Sequence, residues 1–110
     1  MRKIMLILVL LIPMQNSIAH ADIVTDVANV ASYVIIQNNP QGDCKEDNLL
    51  FYWWFRGRGY NPLIQYGKKS GDSHVWLELD KKIYDSTDPK YNGKSVSEVN
   101  NIYVKAKELN

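Results

Sequence analysis

His74-Val75-Trp76-Leu77-Glu78-Leu79-Asp80-Lys81-Lys82-Ile83-Tyr84-Asp85 is the stretch that decides the fold. It alternates: Val75, Leu77 and Leu79 lie on one face, His74, Trp76 and Glu78 on the other. That is the period of a strand with two different faces. Asp80-Lys81-Lys82 reads as a turn and Ile83-Tyr84-Asp85 as a returning strand, so the stretch predicts an antiparallel hairpin. With Asp80-Lys81 as the turn, Leu79 faces Lys82 and Trp76 faces Asp85. Asp85 then shares the His74 face, one diagonal step away. A loop with an odd number of residues would reverse that assignment.

Upstream, Asp43 is a helix cap, with Glu46 three residues on completing a capping box. Cys44 takes the first helical position. Its turn is polar, and from Leu49 to Phe55 the helix is apolar on every side, the pattern of a buried central helix. Gly57 and Gly59 stop it, and Arg56 and Arg58 suit its C-terminal dipole. A further helix is predicted over residues 22–37, from Ile23, Val27, Val30, Ala31, Val34 and Ile35. Asn38 to Gly42 is a loop by composition. Tyr60 to Gly67 reads as a strand that Pro62 pushes toward an edge or a start. Lys68 to Ser73 is a polar loop, and Gly67-Lys68-Lys69-Ser70 lacks the spacing of a phosphate loop. Ser97 to Leu109 is weakly periodic and fits a strand or a helix. The fold class is therefore α+β, with a buried helix on a small antiparallel sheet. Tyr52, Trp53, Trp54, Phe55, Tyr60, Tyr66, Trp76 and Tyr84 supply the expected aromatic core.

The first residues belong to a different pattern. Arg2 and Lys3 precede an apolar run from Ile4 to Met14, and Ala19-His20-Ala21 forms an A-x-A site. This describes a secretory signal peptide over residues 1–21, cleaved after Ala21, with one domain over residues 22–110. A secreted or periplasmic location follows, with no membrane contact beyond the signal. The chain has 110 residues and a formal charge of +1, with 13 Lys+Arg against 12 Asp+Glu. That balance argues against nucleic-acid binding by bulk electrostatics. Cleavage removes Arg2, Lys3 and His20, which turns the charge to −1. It leaves one cysteine, Cys44, and one histidine, His74. One thiol and one imidazole exclude an internal disulfide and a zinc finger.

An exported protein with a single unpaired cysteine needs an explanation. At a helix N-terminus, the dipole and the free N–H groups stabilise a thiolate. The same N–H groups would meet an oxyanion on an attacked carbonyl. His74 is the one imidazole available to pair with Cys44. A Cys–His pair is the minimal apparatus for acyl transfer, and Asp85 is the favoured carboxylate to orient the imidazole. A structural thiol, or one that pairs between molecules, is the plainer reading of Cys44. A surface or core histidine and a turn-capping Asp85 are the plainer readings of the other two.

Gly42-Asp43-Cys44, His74-Val75-Trp76-Leu77-Glu78 and Tyr84-Asp85-Ser86-Thr87, in that order, resemble the transglutaminase-like superfamily of papain-fold cysteine enzymes. Gly59-Tyr60 followed by a strand is similar to that family's helix–Gly–strand passage. The resemblance covers roughly residues 41–89. It implies a papain-like, transglutaminase-like core with Cys44 as nucleophile, His74 as general base and acid, and Asp85 as orienting carboxylate. Where the family has a proline after that aspartate, this chain has Ser86. Asp88-Pro89 three residues on makes Asp88 the alternative third member. Papain-fold enzymes often place an oxyanion side chain shortly before the cysteine. Gln37, Asn38, Asn39 and Gln41 are in range, with Gln37 and Asn38 favoured by spacing. Trp76 would wall the substrate cleft. The implied function is a thiol-dependent amide-bond hydrolase or acyltransferase acting through a Cys44 thioester on a peptide or protein substrate. Neither metal nor organic cofactor is required. The alternative is a non-enzymatic secreted binding module on the same scaffold.

Overall fold

The computed structural model describes residues 17–110, with side chains from residue 23 onward. Of the signal peptide expected over residues 1–21, residues 1–16 lie outside the described residues, and the last five, with the Ala19-His20-Ala21 site, begin the first helix. Two helices precede a four-stranded antiparallel sheet: α1 (Ser17–Asn38), α2 (Cys44–Gly57), β1 (Leu63–Lys69), β2 (Asp72–Leu79), β3 (Lys82–Tyr84) and β4 (Tyr103–Glu108). The strand order is β3-β2-β1-β4. No described helix is long and apolar enough to cross a membrane.

The hairpin takes the two-residue turn. Leu79 pairs with Lys82 and Leu77 with Tyr84. Asp80 and Lys81 both take positive φ, 52° and 63°, the turn whose twist matches its flanking strands. The loop expected over Lys68–Ser73 is also a two-residue turn, Ser70-Gly71 at φ 51° and 91°. Its flanks pair as Lys69 with Asp72 and Lys68 with Ser73. Gly71 makes this possible, since positive φ costs it nothing. The undecided C-terminal stretch is a strand, β4, running along β1 with a register shift at Tyr66/Gly67.

Cores form on both faces of the sheet. On one, Leu77 and Tyr84 pack with Ala28, Ala31, Phe51, Tyr52 and Phe55 from the helices. On the other, Trp76, Ile83, Val99 and Tyr103 pack under the segment that carries Tyr91, Val96 and Ile102.

The helices differ from expectation in which side they bury. The seated stripe of α1 is Val24, Ala28, Ala31 and Ile35, at helical intervals of four, three and four. The other apolar residues, Ile23, Val27, Val30 and Val34, are exposed. Nor is α2 buried all round. Asn48, Phe51, Tyr52 and Phe55 face inward, while Leu49 is 48% and Trp53 60% exposed. The reason is the number of layers: α2 has the sheet on one side and α1 on a flank, and nothing among the described residues covers the rest. An apolar groove of about 1040 Å³ runs between the helices, lined by Val30, Val34, Leu49, Leu50 and Trp53. Tyr66 is likewise half-exposed rather than core.

This difference has a measurable consequence. Phe55→Ala is expected to cost about 3–5 kcal/mol as a fully buried aromatic. Trp53→Ala is expected to cost less than about 1 kcal/mol, as a surface substitution. Urea melts of the two variants check the order, which the all-round-buried reading would reverse or equalise.

Candidate active site

The cluster is built from the N-terminus of α2 upward. Asp43 caps the helix: its Oδ1 accepts from the Glu46 N–H at 2.9 Å, and its carbonyl accepts from the Asp47 N–H at 3.0 Å. The N–H groups of Cys44 and Lys45, earlier in the turn, have no intrahelical acceptor by position. Gly42 sits so tightly in the preceding loop that a Cβ would overlap the Asn39 and Asp47 side chains. Those two are joined across the loop by Asn39 Nδ2 donating to Asp47 Oδ1 at 2.9 Å. The Cys44 position is therefore fixed from both sides. Its thiol is free and half-buried.

Cys44, Asn48, Phe51, Tyr52 and Phe55 follow the i, i+4, i+7, i+8, i+11 spacing of one helix face. Cys44 thus belongs to the sheet side of α2, away from the apolar groove. Asn48, one turn along, is fully buried and carries the contact across. Its Nδ2 donates to Cys44 O at 3.0 Å, Val75 O at 2.9 Å and Asp85 Oδ1 at 3.1 Å. Its Oδ1 accepts from the Ser86 N–H at 2.9 Å and from the Ser86 hydroxyl at 3.3 Å. The β2–β3 register, continued past Tyr84, would put Ser86 opposite Val75. The Asn48 carboxamide stands between them, offering a donor to one and an acceptor to the other as a peptide group would.

Asp85 follows β3 on the face predicted from the hairpin parity, and it is completely buried. Its Oδ2 lies 2.8 Å from His74 Nε2 and accepts from the Tyr103 hydroxyl at 2.7 Å. Its Oδ1 also accepts from the Thr87 N–H at 3.1 Å and the Thr87 hydroxyl at 2.8 Å. Burial by itself would raise the Asp85 pKa. The hydrogen bond and charge of His74, with the bonds from Tyr103 and Asn48, outweigh burial and hold it at about 2. Burial and the neighbouring Asp85 charge push the Tyr103 hydroxyl up, so it remains a donor. An ionised carboxylate only accepts, so the proton between Asp85 and His74 sits on Nε2, and a neutral imidazole presents the Nδ1 lone pair.

Asp88, the alternative third member, is committed elsewhere. It pairs with Lys69 at 2.6 Å and with Lys90 at 3.9 Å. Trp76 does not wall an open cleft: it is 1% exposed and lies nearly parallel to the imidazole, ring centres 6.2 Å apart. It backs His74 from within the second core. Neither favoured oxyanion side chain joins the cluster. Asn38 Nδ2 donates to Val34 O at 2.9 Å, closing α1, and lines the groove on the far side of α2. Gln37 is exposed. The hydrogen bonds of the described residues include none from the Cys44 sulfur to His74. Among the described residues no group of three or more His, Cys, Asp and Glu is placed to hold a metal.

Asn48, Thr87 and Tyr103 are the residues that sequence reasoning missed. Asn48 had a signal: a polar residue one turn after the cysteine, in an otherwise apolar helix. Thr87 had one too, since Asp-x-Thr favours a local side-chain turn. Tyr103 had none, because its place depends on the β1–β4 register.

The depressed Asp85 carboxyl links the site to acid stability. Its stabilisation is fully present above the ordinary carboxyl range near 4 and is lost as pH falls through about 2. It amounts to about 2 kcal/mol. Asp85→Asn should flatten the acid limb of stability against pH, read from urea melts between pH 6 and pH 2. An acid limb as steep as that of the wild type would refute this.

No family model, curated protein or solved structure matches the chain.

Proposed function

We propose that the chain is an exported thiol-dependent amide-bond hydrolase or acyltransferase with a minimal transglutaminase-like, papain-fold core. The observation that carries this reading is the buried, ionised Asp85 held 2.8 Å from His74 Nε2. One carboxamide, Asn48, ties that carboxylate to the turn of α2 that starts at Cys44.

In the proposed reaction His74 Nδ1 takes the Cys44 proton, and the thiolate attacks the carbonyl carbon of a peptide, isopeptide or glutamine side-chain amide. The N–H groups of Cys44 and Lys45 stabilise the oxyanion, taking the role expected of Gln37 or Asn38. The imidazolium returns its proton to the leaving amine as the C–N bond breaks, leaving a thioester on Cys44. Water then adds to the thioester, with His74 as base, and the acid product leaves the restored thiol. Hydrolysis is favoured over transfer because no feature suggests an amine-acceptor site. The proposed reaction needs a thiol–imidazole bond to form when substrate fills the site, since catalytic hydrogen bonds are often long in the free enzyme and close only in the complex.

Intact-mass measurement after exposure to an amide-mimicking electrophile tests the reading. A single adduct on Cys44 is expected in the wild type and none in Cys44→Ala. Labelling no faster than that of a free thiol would favour the second reading, a binding module. The exposed apolar face of α1 and α2 supports that alternative.

A further inference from the structure

Tyr103 opens β4, is 4% exposed, and has no task in the reaction just described. Its hydroxyl shares Asp85 Oδ2 with the imidazole: 2.7 Å from Tyr103, 2.8 Å from His74. Its ring packs 6.2 Å from the His74 ring and edge-on to Trp76 at 5.1 Å. A ring that only filled this space would not need a hydroxyl aimed at a carboxylate.

We propose that Tyr103 is a positioning residue for His74, fixing Asp85 Oδ2 so that the imidazole has an immobile acceptor. The proposal rests on the acyl-transfer reading for its purpose and on the hydrogen bonds for its mechanism. Asp85 Oδ1 is pinned by Asn48 and Thr87. Without Tyr103, Oδ2 would be held only by the imidazole it is meant to hold. Rotation of the carboxylate about its Cβ–Cγ bond would then be resisted through Oδ1 alone, and the acceptor facing the ring would be held less firmly. Tyr103 brings in a third point of attachment from β4, which lies across the sheet from β3. The other charged groups around Tyr103 are paired among themselves. Lys69 Nζ, from β1, is 5.7 Å from the Tyr103 ring centre and is neutralised by Asp88. Tyr91 lies edge-on at 5.4 Å.

The test is Tyr103→Phe in the full chain, which keeps the ring and removes the hydroxyl. At neutral pH the wild type should show a downfield, slowly exchanging Nε2 proton on His74 by nitrogen-edited NMR. In Tyr103→Phe this proton should exchange about tenfold faster, the loss of roughly one hydrogen bond's worth of restraint. Melts should show the variant still folded. Turnover on a model amide should fall through kcat with KM unchanged. An unaltered Nε2 proton in a folded variant overturns the proposal. Should the variant not fold, the wild type decides: a protected tyrosine hydroxyl proton with a nuclear Overhauser effect to the His74 ring supports it, and its absence refutes it. If His74→Ala reacts at Cys44 as fast as the wild type, the acyl-transfer reading fails, and the Nε2 proton still decides Tyr103.

Discussion

His74→Ala is expected to slow acylation of Cys44 by a model amide about 10²–10⁴-fold, the ordinary contribution of a general base. The size follows from what the imidazole does. In the proposed reaction it removes the thiol proton as the carbon–sulfur bond forms and protonates the amine as it leaves. No other described side chain at the cluster offers a neutral base: Asp85 is ionised but buried, with both oxygens occupied. The loss should be far larger for an amide than for an activated ester, whose leaving group needs no proton. Comparing the two substrates in wild type and variant therefore separates lost catalysis from general damage. Equal losses on both would mean that the substitution distorts the site, and no loss on the amide would end the proposed mechanism. Cys44→Ala should abolish both reactions and leave the fold intact, because the thiol is only half-buried and makes no disulfide.

Hairpin parity reached the His74–Asp85 pair from sequence because every link was local. Asp80-Lys81 accepts a two-residue turn, strands alternate with a period of two, and those facts put Asp85 on the His74 face. The cap at Asp43 was legible for the same reason, its side chain reaching only three residues forward. The exposed side of α2 was not legible. Apolar residues around a whole helix signal burial only if enough layers exist to surround it, and layer count is a property of the complete fold. Trp76 failed in a related way: strand parity gave its face but not the lid of Val99 and Ile102 that closes over it. Asn38 illustrates competition, since the amide that could have served the site is spent on the Val34 carbonyl.

Asn48→Leu is expected to destabilise the domain by about 3 kcal/mol or more, because it strands buried polar groups at about 1–3 kcal/mol each. Leucine matches the volume but leaves Val75 O and the Ser86 N–H, now bridged by the carboxamide, facing an apolar side chain. Asn48→Asp is the more informative change. It keeps the shape and the acceptor toward Ser86 but replaces the donor with an oxygen. That oxygen would face Val75 O and Asp85 Oδ1, partners now 2.9 Å and 3.1 Å from Nδ2. The introduced carboxyl lies in a buried site beside a carboxylate, so both burial and like charge raise its affinity for a proton. Its penalty should therefore be smallest near pH 4 and grow as pH rises toward 7, where the unfolded chain ionises it freely. Urea melts at the two pH values check the sign. A pH-independent loss would mean that Asn48 acts by packing alone. A pH-dependent one that shrinks in an Asp85→Asn background would show that its donor faces the Asp85 charge, the link by which the Cys44 turn and the His74 carboxylate are held in one register.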